Sequence, residues 1–299
     1  MNASARAAAA PDGAALAAFA FLALVWGYNW VAVKVALDYA APFVFGAERC
    51  IGGGLVLILL LLAARKPFWP RHPWRVLLLG LLQTSLFTGC TTWALVHGGA
   101  GKSAVLVFTM PFWLLLFAPF VLGERLKGLQ WLAVALAFAG LLLIFSPWRH
   151  GADLGSSALA IGGGIAWALA VLVAKKIPVY GPWDLLSLTG WQMVLGSVPL
   201  MLLAWWVPGR TTDWSFVYAV TLGYNIVFAT ALAWLLWLFI IGRLPATISG
   251  LSSLIVPVVG VLSGWLQLGE RPPLSESLGM LLVFAALGLL PLAARRRGV

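Results

Sequence analysis

The sequence predicts an all-α integral membrane protein of ten transmembrane helices, arranged as two inverted five-helix repeats with both termini cytoplasmic. Three observations predict it. Of the 299 residues, 62% are apolar and only 9% are charged, a balance that suits a chain surrounded by lipid rather than water. Apolar runs near 14–36, 42–64, 74–97, 101–122, 127–146, 154–175, 183–207, 214–241, 245–268 and 274–293 each approach the ~20 residues that a helix needs to cross hydrocarbon. A string also recurs: Pro111 precedes Leu122-Gly123-Glu124-Arg125, Pro257 precedes Leu268-Gly269-Glu270-Arg271, and the Pro-to-Glu spacing is 13 residues in both copies.

Taken in order, residues 1–13 are Ala-rich and read as a disordered tail. The first apolar run continues through Trp26 and Trp30 without a small-residue cleavage site, so it reads as a retained helix rather than a signal peptide. The first repeat spans 14–148 and the second 149–293, with a basic tail at 294–299. Their first helices match, since Trp26 precedes Lys34 by eight residues and Trp167 precedes Lys175 by eight. Five spans per half is an odd number, so the second copy enters the membrane from the opposite side. Such copies can exchange conformations about an axis in the membrane plane.

The net charge of +10 does not point to nucleic acid, because Lys and Arg occur in short clusters between the apolar spans. Thirteen fall on one side: Arg6, Arg65, Lys66, Arg71, Arg75, Arg125, Lys127, Lys175, Lys176, Arg243, Arg295, Arg296 and Arg297. Five fall on the other: Lys34, Lys102, Arg149, Arg210 and Arg271, with Arg49 inside the second span. The richer side is cytoplasmic by the positive-inside rule. Cys50 and Cys90 lie within apolar runs and read as small core residues rather than a disulfide.

The pattern resembles the drug/metabolite transporter superfamily, in particular its EamA-type ten-helix exporters. The likeness is carried by Trp26-Gly27-Tyr28-Asn29 with Lys34 in the first span, Pro42 with Arg49 in the second, and the repeated Pro-to-Glu strings. Length, abundant Trp and a membrane region almost free of carboxylates are similar to the aromatic amino-acid exporters of the YddG type, which the resemblance implies are bacterial inner-membrane proteins. Ala170 stands where the second half would repeat Asn29, so polar contacts need not be symmetric.

An enzyme is the first rival to a carrier. His72, His97 and His150 lie in predicted loops, and the spans hold no Ser-His-Asp, paired-carboxylate or metal-ligating constellation. No catalysis, cofactor or metal is therefore expected. Export of lipophilic cations would require a deep counter-charge that the spans hardly supply, and a non-transport membrane subunit is the remaining alternative. The expected partners are a small-molecule substrate and the bilayer, with a monomer as the working unit.

Candidate substrate contacts are Trp26, Asn29, Gln83, Phe87, Met110, Trp167, Tyr224 and Ser253, in a cavity lined by spans 1, 3, 4, 6, 8 and 9, an assignment of spans that the resemblance in part implies. Gln83 and Phe87 share one helical face, as do Tyr224 and Phe228, and the amides of Asn29 and Gln83 need partners beyond their own helix. Core packing is the plainer reading for the tryptophans. Pro111 and Pro257 lack an N–H, so each frees a carbonyl four residues earlier, at Val107 and Ser253, and a kink suited to gating is expected. Glu48 and Arg49 form a charge cluster in the second span, with interface anchoring as the plainer role. Glu124 and Glu270 are expected at the N-terminus of the helix that follows them, and Lys34 and Lys175 as snorkelling anchors. The triplets Gly52-Gly53-Gly54 and Gly162-Gly163-Gly164 are expected to let helices approach closely.

Overall fold

The structure, a computed structural model, describes residues 13–122, 128–146, 153–178, 180–237 and 246–295, without the side chains of 13–16, 122, 246–254, 290, 291 and 293–295. The two tail extremities, Glu124 and the Ser253 side chain lie outside the described residues. In chain order the helices are α1 (Gly13–Ala36), α2 (Pro42–Ala63), α3 (Pro73–His97), α4 (Ala100–Val107), α5 (Met110–Leu122) and α6 (Leu129–Phe145). They continue as α7 (Leu154–Ala174), α8 (Pro182–Trp206), α9 (Phe216–Trp237), α10 (Ala246–Leu268) and α11 (Leu274–Arg295). Seven segments are long and apolar enough to cross a membrane, with Ala100–Val121 taken as one, and Leu129–Phe145, Ile255–Leu268 and Leu274–Leu289 are shorter apolar helices. No strand occurs among the described residues.

Local chemistry starts these helices. Pro42, Pro73 and Pro182 open α2, α3 and α8, where a missing N–H costs nothing. Asp153 and Ser215 cap α7 and α9 by accepting from Ser156 N at 3.0 Å and Tyr218 N at 3.3 Å. Trp74, Phe120, Trp205 and Trp206 stand exposed on the outer surface, an arrangement suited to lipid and its interfaces.

The helices pack in a pattern that the two halves share. α2 lies against α8 and α6 against α11, while α1 packs on α10 as α7 packs on α4 and α5. Where α6 meets α11, a methyl group added to Gly140 would lie 2.7 Å from the Gly279 carbonyl oxygen, and one on Gly279 2.7 Å from that of Gly140. Small residues thus set the helix spacing. The connections pair by side as well. Arg75 Nη1 donates to Lys176 O at 2.8 Å at one end. At the other, Asp213 N donates to Tyr39 O at 2.8 Å, and Lys102 pairs with Glu276 at 3.0 Å.

Local structure goes beyond the sequence-based expectation in two respects. α3 and α9 each contain a π-helical stretch, Leu81–Leu86 and Asn225–Leu232, at matched places in the two halves. At Pro111 the helical segment is interrupted. The chain breaks between α4 and α5, where Thr109 Oγ1 donates to Leu106 O at 2.6 Å and accepts from Trp113 Nε1 at 3.1 Å. By contrast, Pro257 lies inside the unbroken α10.

Two charge assignments also change. Lys34 donates to Leu95 O at 3.3 Å and to Gly98 O, so it caps the C-terminal end of α3 instead of snorkelling to the interface. Glu270 satisfies an N-terminus, as a carboxylate should, but that of α4 in the other half rather than that of the helix after it. It accepts from Ala100 N at 2.6 Å and Gly101 N at 2.9 Å.

Candidate functional site

A narrow cavity of about 60 Å³ lies among α1, α2, α3, α7, α8 and α9, beside the α4–α5 break. The π stretches position two of its walls. In a π turn the amide bonds five residues back, so one carbonyl at the usual four-residue spacing is released. Phe87 N bonds to Leu82 O in α3, and Ala233 N to Phe228 O in α9. The carbonyl passed over in α9 is Ala229 O, and the Trp26 indole of α1 donates to it at 3.1 Å.

Aromatic rings form the apolar wall. Trp26 lies edge-on to Trp167 at 5.9 Å between centroids and to Trp234 at 5.0 Å. Trp167 in turn packs on Phe87 at 5.5 Å and on Phe108 at 5.3 Å. Ring pairs at these separations hold one another in place with little rotamer freedom. α7 comes close enough to contribute Trp167 because Gly164 faces the α4–α5 break. A methyl there would lie 2.9 Å from Val107 O, the carbonyl that Pro111 leaves without its helical donor.

The polar part is unevenly satisfied. Among the described residues, the buried side-chain atoms with no hydrogen-bond partner include Asn29 Oδ1, Arg49 Nε, Thr92 Oγ1 and Trp167 Nε1, and all four residues line this cavity. Arg49 is 8% exposed and Trp167 is 3% exposed. Arg49 Nη1 donates to Asn225 Oδ1 at 3.1 Å, and Asn225 Nδ2 donates to Thr221 O at 3.1 Å. Thr84 Oγ1 donates to Gln192 Oε1 at 2.9 Å, which ties α3 to α8 at the same depth.

The predicted contacts divide accordingly. Trp26, Asn29, Gln83, Phe87 and Trp167 come together at this cavity. Met110 is buried beside the α4–α5 break, outside the lining. Tyr224 also lies outside it, because its hydroxyl donates to Val25 O at 2.7 Å and its ring stacks edge-on with Tyr28 at 5.9 Å. Glu48 and Arg49 do not pair, since adjacent helical residues point apart: Tyr218 Oη donates to Glu48 Oε2, while Arg49 turns to the cavity. The lining also differs in its helices. α2 and α8 contribute Arg49, Cys50 and Met193, and no described side chain of α10 takes part.

Sequence reasoning missed Arg49 as a cavity residue, and with it Trp234 and Phe108. For Trp234 a signal existed, since Trp234 and Trp237 are spaced to share a helical face, and both rings pack on Trp26.

A helical, multi-pass membrane protein with an aromatic and polar cavity at its centre is thus defined. The chain belongs to the EamA-like transporter family, whose profile matches residues 13–146 and again residues 155–291, and so to the drug/metabolite transporter superfamily. It is 26% identical over 284 residues to the uncharacterized transporter YoaV of Bacillus subtilis, with 92% of this chain and 96% of that protein covered. Against a protein of Salmonella typhimurium named "Probable amino-acid metabolite efflux pump", identity is 28% over 285 residues, covering 89% of this chain and 92% of the other. A solved crystal structure superimposes with a TM-score of 0.68 at 18% identity, covering 95% of this chain and 99% of that one. This last likeness bears on the fold. The protein is a multi-pass bacterial inner-membrane transporter.

Proposed function

We propose that the protein exports small neutral or zwitterionic metabolites, amino acids with aromatic side chains included, by alternating access through the cavity between its halves. The single observation that carries this reading is the cavity itself: Trp26, Trp167 and Trp234 supply broad apolar faces, and the same lining includes Asn29, Arg49, Thr92 and Trp167, each with a buried polar atom that has no hydrogen-bond partner. Such a mixture suits a ligand with a polar head and an apolar body. The Salmonella relative's name adds weight to amino-acid-like cargo.

The same reading has ten crossings in two inverted copies, with both termini in the cytoplasm. Support comes from the packing pairs that exchange when the halves are exchanged, from the matched π stretches in α3 and α9, and from the 13-to-5 distribution of Lys and Arg. At about 60 Å³ the cavity is well below the ~300 Å³ or more of ordinary ligand pockets. Entry of cargo therefore requires the tryptophans or the helices around them to part. Export of lipophilic cations is disfavoured by Arg49, whose charge would oppose such cargo.

Flux is uncoupled or exchanging in this account, because Glu48 is held by Tyr218 and turned from the cavity that Arg49 faces. Purified protein in liposomes should carry phenylalanine or alanine down a concentration gradient with no pH or voltage difference. Flux no faster than in protein-free vesicles, for both amino acids, would overturn the reading.

A further inference from the structure

The cavity contains one fixed charge among its described lining, and that charge is positive. Arg49 carries a guanidinium that stays protonated in proteins, it is more than nine-tenths buried, and the lining includes no carboxylate. Its neighbour in sequence, Glu48, accepts from Tyr218. Among the described residues, Arg49 bonds to the neutral Asn225 Oδ1 at 3.1 Å, and its Nε has no partner. A buried charge with no opposite charge is costly, and one kept within a membrane marks a functional position. Trp167 Nε1 adds a second partnerless donor, while the amide acceptors in the described lining, the partnerless Asn29 Oδ1 and that of Gln83, are neutral.

We infer that Arg49 is the receptor for the carboxylate of the transported molecule, with Trp167 Nε1–H as an auxiliary donor, and that the amino group is dispensable. This rests on the transport reading above and refines its substrate class to molecules with one carboxylate and an aromatic or apolar body, extending it from zwitterionic amino acids to their amine-free anions. The physical reason is an imbalance. A carboxylate meets a full charge through a planar, forked donor suited to bidentate bonding. An ammonium meets neutral oxygens, those of Asn29 and Gln83 among them, in a cavity whose one charge among the described lining has its own sign. A cavity so furnished ranks its ligands by the acid group first, by ring contact with the tryptophans second, and by the amine last.

Three probes of one shape separate these terms: 3-phenylpropionate (acid, no amine), phenylalanine (both) and phenylalaninamide (amine, no acid). Binding is read on the purified full chain as the rise in its thermal unfolding midpoint with each probe at millimolar concentration. Phenylalanine counterflow in proteoliposomes is measured separately. Both acids should raise the midpoint, and the amide should need at least about tenfold more ligand for the same rise. Arg49→Gln should weaken both acids by about tenfold or more and leave the amide unchanged. Arg49→Lys, which keeps the charge, should retain the order. If Arg49→Gln fails to fold, the wild-type order and Arg49→Lys still decide. An amide that matches the acids in the wild type overturns the inference, as does the absence of any rise with either acid, or an acid preference that survives Arg49→Gln. Preference for the acids without counterflow would instead remove the transport reading and leave Arg49 as a carboxylate receptor.

Discussion

The two halves carry the same motifs and hold them differently. In the first, Pro111 follows a two-residue interruption between α4 and α5; in the second, the matching Pro257 lies within the continuous α10. Trp26 donates to the Ala229 carbonyl that the π stretch of α9 releases. Its counterpart Trp167 stands beside the matching π stretch of α3 with its N–H unpartnered. Lys34 caps the end of α3, whereas its counterpart Lys175 is exposed. In the inverted arrangement proposed above, one sequence pattern with two local structures is expected when each half adopts one of two shapes, because opening to one side requires the halves to differ. The asymmetry thus identifies the parts expected to change places.

The largest effect should come from filling the space at the break. Gly164→Val would place methyl groups against Val107 O, where a first methyl would already lie 2.9 Å away. Overpacking of this kind costs about 1–3 kcal/mol or more, so thermal unfolding in detergent should show a clearly lowered midpoint, while Gly155→Ala, with nothing within 4 Å, should not. Next comes the tryptophan pair. Trp26→Phe leaves Ala229 O without its donor and should cost about 1–3 kcal/mol, whereas Trp167→Phe removes an N–H that has no partner and should cost less. Equal losses would mean that the halves are alike at this position. The smallest effect concerns the lysines. Lys34→Ala should lower stability by roughly 0.3–1 kcal/mol through the lost C-terminal cap, and Lys175→Ala by less than the error of a melting curve.

Much of the fold was legible because membrane crossing demands long apolar runs, and such runs are unmistakable in composition. The family was legible from spaced motifs that occur twice. Five cavity residues, Trp26, Asn29, Gln83, Phe87 and Trp167, were legible because amides and large rings have few other uses at depth. The others were hidden for physical reasons. π turns follow no hydrophobic period, so the released Ala229 carbonyl could not be foreseen. At the break before Pro111 the Thr109 hydroxyl bonds to Leu106 O, a contact that the position of a proline does not specify. Arg49 looked like an interface charge because it is only seven residues past Pro42, or ~10 Å by helical rise, and the reach of its own side chain into the cavity is not written in spacing. Met110 and Tyr224 share a similar lesson: position on a helix face does not fix the partner, and Val25 O captures the Tyr224 hydroxyl.

The most direct test of the claim that the halves exchange shapes is two-sided labelling of the cavity. In a chain with Cys50→Ala and Cys90→Ala, a single cysteine is introduced as Thr92→Cys, towards the His97 end of α3, or as Gln83→Cys, towards its Pro73 end. Oriented vesicles are then exposed to a membrane-impermeant maleimide from one side at a time, with and without phenylalanine. The account predicts that Thr92→Cys is labelled from the outer side and Gln83→Cys from the inner side, with phenylalanine shifting the two rates in opposite directions. Labelling of both positions from one side alone, at rates that phenylalanine does not alter, would contradict it.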